Sequence, residues 1–455
     1  MTIMTAHIMT NTRWRQRPAG STWDPGLAVR EWARARDHGR LVPLGSLLSQ
    51  VRQGIFAGSF GRGDLSVRTI RVSDLHPLLI GDGEVRELAV GSVRRHLAVD
   101  GDVLVARVGG LGQVGCVTQA TESLVPREGI LVARPMNKKW GPAIAAALCT
   151  EHSRERLSGL LVGSRSASLT IERLSDIPVP SPRHFDFAQV SNLVDAAGEL
   201  VKAGCEILDR VRGHIGMVLE GAPTEPTRHP FTWVAEPAWL QGWGWSDVQR
   251  YLLISRLRLR AGSLIRLGDA IDLDAYRAKT IDVSAGIRGM ESDDLRPDWY
   301  LGLPTSKPAM ANESDEMPSR ATPKRFFEVD RECLLVPTAG DITASPVVIP
   351  SERTVRGHPP VMVPIYWLPL VNLPHPRALA VVLDHPFVRL QRQLAGAFSK
   401  VTHINREDIA NLLMPAVTEE IWNQWETELR GAHRLFIEAN AKTKEAITIA
   451  ERWYA

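Results

Sequence analysis

The chain contains 455 residues, of which 44% are hydrophobic and 23% are charged. These values are typical of a soluble globular protein, and the length predicts two to four domains. The net charge of +3 neither indicates nor excludes a nucleic-acid partner. The four cysteines form no C-x-x-C pair, and the sequence has no secretory signal and no apolar run of membrane length. We therefore expect a reduced, cytoplasmic protein without a membrane partner, a disulfide framework or a zinc site.

The first part of the chain predicts one domain of mixed helix and strand. Residues 1–20 are expected to be a disordered lead, and residues 21–40 have the pattern of an amphipathic entry helix. Residues 41–182 alternate short β-like runs with turns, with one helix predicted at about 142–161. We take 21–183 as the first domain.

A long helix is predicted within residues 184–221, followed by a linker at 222–244. Asp186 and Gln189 have the spacing of a capping box at the start of this helix. Apolar or small residues then recur at alternating spacings of three and four, which predicts a coiled-coil seam. The seam consists of Val190, Val194, Ala197, Val201, Gly204, Leu208, Val211, Ile215 and Val218.

The second half of the chain repeats the motifs of the first half in the same order. A doubled unit too long for a solenoid repeat predicts two homologous domains related by a pseudo-two-fold axis. The clearest matches are 41–45 (LVPLG) with 264–268 (LIRLG), 99–105 (VDGDVLV) with 329–335 (VDRECLL), and 174–180 (LSDIPVP) with 409–415 (IANLLMP).

The second domain is predicted over residues 245–416, again with an entry helix, and it contains a long exposed loop at 302–325. A second spacer helix is predicted over 417–455, with acidic residues at its start. Its seam consists of Trp422, Trp425, Leu429, Ala432, Phe436, Ala439, Thr443, Ala446, Ala450 and Trp453.

We expect the two seam helices to pack against each other in antiparallel orientation. Small residues of the first seam, Ala197 and Gly204, have room for large residues of the second, such as Trp422 and Phe436. The alternative is that each helix packs separately on its own domain. The strict repeat favours mutual packing, because it is narrower than the face that a globular helix usually buries.

Residues 110–115 spell G-x-G-x-x-G after a predicted strand. A nucleotide-binding loop needs a helix directly after this motif, so that the helix N-terminus can hold phosphate. Here residues 116–126 are rich in β-branched side chains and end in proline, which favours a β-turn. No other catalytic motif and no metal-ligand spacing occurs in the sequence, so we expect no catalytic residue, no metal and no cofactor.

Taken in order, these motifs resemble the DNA-specificity (S) subunits of type I restriction-modification enzymes. The matching pattern is Leu44 and Gly45, then 101–105, 163–166 and 174–180 leading into a long helix. The pattern occurs twice and covers about residues 21–455. The resemblance implies an α+β fold with two mixed α/β target-recognition domains, joined by two long antiparallel coiled-coil-like helices with pseudo-two-fold symmetry.

The resemblance also implies a non-catalytic subunit that recognises double-stranded DNA. Each domain would read one half of a bipartite site, and the helices would set the distance between the halves. The helices would also dock DNA methyltransferase subunits, with a restriction or translocase subunit as a further partner. S subunits usually carry Glu-Gln at the start of each spacer helix, whereas this chain has Asp186 to Gln189 and Thr418 to Glu420. Because of this departure, a complex of a divergent phage-defence system remains an alternative to a standard restriction-modification enzyme.

Basic and polar residues near the domain loops are the candidate DNA contacts, because such side chains bind phosphates and base edges. A solvated surface position is an equally good explanation for each of them. In the first copy the candidates are Arg52, Arg62, Arg68, Arg107, Ser164, Arg165 and Ser166. In the second copy they are Arg277, Lys279, Arg288, Lys400, His403 and Asn405.

Two other functions remain open from the sequence. The chain is a recognition part of a nuclease or methyltransferase enzyme, or it is a protein-protein scaffold that joins partners through the seam helices and binds no DNA. The missing catalytic motifs weigh against the first of these. A salt-dependent interaction with long duplex DNA separates the second from DNA recognition.

Overall fold

The computed structural model divides the chain into two compact units, Met1–Gly198 with Lys442–Ala455, and Glu199–Ala441. Both helices and strands are present, in agreement with the predicted α+β class. The predicted lead, both entry helices and the linker lie outside the described residues. The structure describes residues 40–56, 65–81, 84–88, 93–108, 113–118, 123–159, 168–219, 264–271, 273, 280–283, 324–329, 331–339, 345–349, 361–364, 367–396 and 403–454.

The described part of the first unit contains nine strands. They are β1 (Leu41–Pro43), β2 (Leu48–Gln53), β3 (Leu65–Ile70), β4 (Glu84–Leu88), β5 (Val103–Ala106), β6 (Val114–Cys116), β7 (Leu124–Pro126), β8 (Ile130–Pro135) and β9 (Pro178–Pro180). An antiparallel four-stranded sheet has the order β2-β8-β5-β6, and a three-stranded sheet has the order β4-β3-β7. Strands β1 and β9 pair with each other at the two ends of this part of the chain.

Strand β5 explains how the first unit builds its core. Its four residues, VLVA, are all buried, as expected of a strand that is covered on both faces. Val103 and Val105 belong to a core cluster with Ile144 and Leu148 of a helix. Leu104 belongs to a second cluster, on the opposite face of the strand, because successive side chains alternate.

The described part of the first unit also has three short α-helices, α1 (Gly141–Cys149), α2 (Glu151–Gly159) and α3 (Ile171–Ser175). The sequence predicts one helix at about 142–161, and this prediction is wrong because the chain breaks at Thr150. The Thr150 hydroxyl donates to the Ala147 carbonyl at 2.7 Å, and it accepts from the Ser153 main-chain N–H at 3.3 Å. Thr150 has an extended backbone, so the same side chain ends α1 and caps α2.

The first unit leads into a 32-residue helix, α4 (Phe187–Val218). The described part of the second unit then contains eight strands and further helices. The strands are β10 (Leu264–Arg266), β11 (Thr280–Val283), β12 (Lys324–Val329), β13 (Cys333–Pro337), β14 (Val347–Ile349), β15 (Val361–Pro364), β16 (Trp367–Val371) and β17 (Leu413–Pro415). The helices are α5 (Leu267–Ala270), α6 (Pro376–Asp384), α7 (Pro386–Gly396), α8 (Arg406–Ala410) and the 34-residue α9 (Glu419–Arg452).

The two units share the strand order of their central and closing sheets. Strands β6-β5-β8 of the first unit correspond to β14-β13-β16 of the second, and all of these pairs are antiparallel. The closing pair β1-β9 joins Leu41 to Pro180, and the pair β10-β17 joins Leu264 to Pro415. These partners lie inside the repeated sequence motifs, so the repetition in sequence matches a repetition in topology.

The outer sheets of the two units differ. In the first unit β3 pairs in parallel with β7, whereas in the second unit β11 pairs with β12 in antiparallel orientation. In the described residues directly before β5 the chain forms the 3-10 turn Arg94–His96 and an isolated bridge, Ala98 with Leu124. Before β13 it forms the full strand β12, which takes β11 and β15 as neighbours. Strand β12 also includes Lys324 and Arg325, so the predicted exposed loop at 302–325 is wrong at its end; residues 302–323 lie outside the described residues.

The long helices bury their seams within each unit. In the first unit Val190 and Val194 of α4 share a core cluster with Ala446 and Ala450 of α9. In the second unit Leu208, Val211 and Ile215 share a cluster with Trp425 and Leu429. Phe436 and Trp453 are also buried, whereas Val201 and Trp422 are half-buried. Neither long helix, nor any other helix in the described ranges, carries an apolar stretch of membrane-spanning length.

Candidate nucleic-acid interface

Arg52, a predicted DNA contact, lies on β2 and holds a neighbouring turn of the main chain. Its Nη1 donates to the His96 carbonyl at 3.2 Å, and its Nη2 donates to the Leu97 carbonyl at 2.8 Å. Burial lowers the pKa of Arg52, an effect opposed by the negative charge of Asp102. Both terminal nitrogens of Arg52 are therefore engaged by carbonyls of the turn at 94–97.

A buried ion pair lies beside this turn. Asp102 is 1% exposed, and Arg134 binds it in bidentate fashion, with Nε to Oδ1 and Nη2 to Oδ2 both at 2.8 Å. The Asp102 carboxylate also accepts the main-chain N–H of Val99 at 3.0 Å. The side-chain hydrogen bond from Asp102 raises the pKa of Arg134, against a smaller effect of burial. The carboxylate thus neutralises Arg134 and fixes the loop at 99–102.

Gly101 is required next to this ion pair. Its φ is 85°, a region that favours glycine, and a Cβ atom there would overlap the main chain of Lys138. The sequence motif at 99–105 therefore has two physical causes in the first unit. Glycine allows close packing against Lys138, and aspartate binds Arg134.

In the second unit the equivalent carboxylate belongs to Glu332, and it joins a larger network. Arg377 Nη1 lies 2.9 Å from Glu332 and 3.2 Å from Glu426, and Arg430 lies 3.2 Å and 3.0 Å from the same two carboxylates. Glu426 also accepts the main-chain N–H groups of Arg377 and Ala378, at 2.9 Å and 3.0 Å, at the start of α6. A side chain of α9 thereby caps α6 in this unit, an arrangement that no pattern in the sequence indicates.

The other described candidates occupy three different settings. Arg68 is half-buried on β3, and Arg107 is half-buried just after β5, where its main chain bonds to Gly129 and Leu169. His403 is exposed and forms a bridge with Ala339. The remaining predicted contacts lie outside the described residues: Arg62, Ser164, Arg165, Ser166, Arg277, Lys279, Arg288 and Lys400.

Asn405 has a local structural role at the start of α8. Its side chain accepts the main-chain N–H of Asp408 at 2.8 Å, and the Asp408 carboxylate accepts the N–H of Asn405 at 3.0 Å. This reciprocal pair is a capping box. Arg52 lies on β2, and Arg107 directly follows β5 of the same sheet of the first unit, whereas His403 and Asn405 lie on one segment of the second unit.

Within the second unit, α4 and α9 contact each other through matched large and small side chains. A methyl group at Gly204 would overlap the ring of Phe436. Further along, Trp425 Nε1 donates to His214 Nδ1 at 3.1 Å, and Arg210 lies 3.5 Å from Glu428. Residue numbers rise along α4 as they fall along α9, so the two helices run antiparallel in this unit.

In the first unit the start of α4 meets the end of α9. Phe187 stacks on Trp453 with ring centroids 5.3 Å apart. The Tyr454 hydroxyl lies 3.1 Å from the Ser153 hydroxyl and donates to the Ala147 carbonyl at 3.5 Å. Burial raises the pKa of Tyr454 to about 12. Trp453 and Tyr454 therefore pack against residues of the first unit that are distant from them in sequence.

The G-x-G-x-x-G segment ends in a strand, not a helix. Gly115 lies in β6, where a Cβ atom would come within 2.9 Å of the Leu79 carbonyl oxygen. Residues 110–112 lie outside the described residues. Among the residues that are described, no group of three or more His, Cys, Asp or Glu side chains is placed to hold a metal ion.

No family model and no curated protein matches the chain. Similar solved structures include a type I restriction-modification S subunit from M. genitalium, with 10% identity, a TM-score of 0.36, and coverage of 92% of this chain and 97% of that one. The HsdS subunit from Thermoanaerobacter tengcongensis has 12% identity and a TM-score of 0.28, with coverage of 91% and 95%. A structure described for complex assembly and conformational transition of the type I R-M system has 12% identity and a TM-score of 0.29, with coverage of 91% and 97%.

Proposed function

We propose that this chain is a non-catalytic, sequence-specific DNA-recognition subunit of a complex of the type I restriction-modification kind. Each unit reads one half of a bipartite site on double-stranded DNA. The observation that carries the proposal is the repeated central and closing sheet topology, followed in each copy by a helix of more than 30 residues. Two similar reading units suit a target with two separated halves.

The long helices set the distance between the two halves in this proposal. Helix α4 has 32 residues, so its length is about 48 Å at 1.5 Å per residue. That length is on the order of one turn of DNA or somewhat more. The exposed sides of the helices are available for protein partners, and we assign them to methyltransferase subunits. A restriction or translocase subunit completes the complex.

The test uses the purified full-length chain, first alone and then with partners captured from its native host. Selection from a random-sequence duplex library, followed by sequencing of the bound fraction, should give two fixed half-sites separated by unspecified bases. Binding should weaken steeply with salt, because phosphate contacts release counterions.

Three outcomes would contradict the proposal in different ways. A single continuous motif would mean that the two units do not read separate halves. Partner capture without any DNA binding at low salt would favour the protein-protein scaffold. Cleavage or methylation of DNA by the purified chain alone would assign it to the enzymes.

A further inference from the structure

Two short turns of the first unit present exposed basic side chains that none of the sites above uses. Arg94 and Arg95 are exposed on the 3-10 turn Arg94–His96. Lys138 and Lys139 are exposed on the 3-10 turn Lys138–Trp140. We call these four side chains the two-turn basic surface. The Arg-Arg and Lys-Lys pairs are visible in the sequence, but they lie 44 residues apart, and only the fold relates them.

Both turns lie beside the loop at 99–102 and the Asp102–Arg134 pair. Gly101, at the end of the loop that follows Arg95, packs directly on the main chain of Lys138. Arg134, which precedes the lysine turn, binds Asp102 and also reaches the Leu97 carbonyl at 3.5 Å. The arginine turn and the lysine turn are therefore linked through the Asp102–Arg134 pair and the loop at 99–102, which makes them neighbours in the first unit.

Hydrogen bonds from neighbouring residues hold the main chain of each turn, while its cationic side chains are exposed. Val93, before the first turn, is completely buried, and Arg52 holds the carbonyls of His96 and Leu97. In the second turn the Asn137 side chain accepts the N–H of Lys139 at 3.0 Å. The Ser191 hydroxyl of α4 donates to the Lys139 carbonyl at 2.9 Å. A main chain that is held in place and carries exposed charged side chains is suited to contacts that set the position of a rigid ligand.

Exposed positive charges outnumber exposed negative charges in the described residues around the two turns. The carboxylate of Asp102 is already paired with Arg134, so it does not offset the four exposed cations. Asp100, in the same loop, is exposed, and so is Asp195 of α4, one helical turn after Ser191, so two exposed carboxylates accompany the four cations. Burial lowers the pKa of His96, and the positive charges of Arg52 and Arg95 lower it further. We therefore expect a polyanionic ligand for this surface.

We infer that the two-turn basic surface contacts the phosphate backbone of duplex DNA. The inference rests on the proposed function and assigns it a defined surface. Arginine and lysine donate to phosphate oxygens without reading sequence, so these contacts would fix the register of the first unit on the duplex. Base reading would then fall to other side chains of the same unit.

The experiment measures the binding constant of the full-length chain for a long random-sequence duplex over a series of salt concentrations. The variant Arg94→Gln with Arg95→Gln should lower the slope of log K against log salt by about two, and weaken binding roughly tenfold or more at moderate salt. The charge-conserving variant R94K/R95K should restore most of the slope. The matched control is R154Q/R183Q, which removes two exposed arginines elsewhere in the same unit and should leave the slope unchanged.

A second variant, K138Q/K139Q, tests the lysine turn independently and replaces the first if R94Q/R95Q fails to fold. The inference is overturned if both glutamine variants bind DNA with the slope of the unchanged protein. It is also overturned if they lose binding to anionic phospholipid vesicles while their DNA binding is unaffected. If the unchanged protein itself does not bind duplex DNA at low salt, the proposed function fails, which is a distinguishable result.

Discussion

Gly204 on α4 lies against the aromatic ring of Phe436 on α9, so close that a methyl group at Gly204 would overlap ring atoms Cε1 and Cζ. Phe436 is 2% exposed, so its ring has little room to move away. Glycine in the middle of a helix costs about 0.5–1 kcal/mol relative to alanine. Its presence at this position is explained by the close approach of the two helices.

The first prediction uses this contact. Gly204→Ala should lower the free energy of unfolding by about 1–3 kcal/mol despite the better helix propensity of alanine, because overpacking forces the Phe436 ring to shift. The control is Gly213→Ala on the same helix, where a Cβ atom would meet nothing within 4 Å. That change should raise the free energy of unfolding by about 0.5–1 kcal/mol. Denaturant unfolding measures both, and equal effects of the two substitutions would argue against close packing of the helices.

The second prediction concerns Arg52, which is a candidate DNA contact from the sequence. In the structure its guanidinium donates to two main-chain carbonyls. Arg52→Met should lower the free energy of unfolding by about 2 kcal/mol, because two charge-assisted hydrogen bonds are lost. The salt dependence of DNA binding should not change. Arg94→Met, at an exposed site on the turn that Arg52 contacts, should change the free energy of unfolding by less than about 0.5 kcal/mol. If Arg52→Met instead lowers the salt slope by about one without loss of stability, Arg52 is a phosphate contact after all.

The third prediction is a pH dependence that arises from Tyr454. Its pKa is raised to about 12 in the folded protein, whereas an unfolded tyrosine has a pKa of about 10. The folded state therefore holds the proton more tightly, and this contribution is complete below about pH 10 and is lost as pH rises towards 12. By pH 11 the loss should be about 1.4 kcal/mol.

The measurement compares the unchanged protein with Tyr454→Phe between pH 8 and 11 by denaturant unfolding. The variant loses the hydrogen bonds of the hydroxyl at every pH, so the informative quantity is the difference in slope against pH. The thiol of Cys149, whose pKa burial raises to about 11, is present in both proteins and cancels in the comparison. Parallel pH profiles would show that the Tyr454 hydroxyl is not desolvated.

The repeated motifs and the helix periodicity were readable from the sequence because each reports a local constraint. The spacing of three and four in α4 reflects a single buried stripe, and Val190, Val194, Leu208, Val211 and Ile215 are buried along it. The matching segments at 41–45 and 264–268 have their counterpart in the equivalent pairs β1-β9 and β10-β17.

Other features depended on distant partners, which a single sequence does not display. Glu332, Arg377 and Glu426 form one network although they are separated by 45 and 49 positions along the chain. The break at Thr150 depends on its hydroxyl, which donates one hydrogen bond and accepts another. Helix propensities do not include such bonds. The exposed cations of the two turns were missed for the same reason, since only the packing of Gly101 on Lys138 relates them.

The final prediction tests the helices as a spacer. A heptad inserted into α4 between Gly198 and Glu199, together with one inserted into α9 between Ala441 and Lys442, lengthens both helices where the two compact units divide. Each insertion adds about 10 Å at 1.5 Å per residue and preserves the seven-residue repeat of the seam. In the proposed function the base contacts are local to each unit, so both half-sites should be kept while the gap between them widens by roughly three base pairs.

The controls for this insertion separate spacing from folding. A heptad added to α4 alone makes the two helices unequal, so the α4–α9 contacts of one unit, such as Gly204 with Phe436, cannot form together with those of the other, such as Val190 with Ala446, and the protein should be destabilised. Exchanging only residues 41–182 for those of a relative should change one half-site and leave both the other half-site and the gap. Sequencing of bound DNA decides each case. A double insertion that alters the bases read, or an exchange that alters both halves, would mean that recognition is shared along the chain and that the helices do more than set distance.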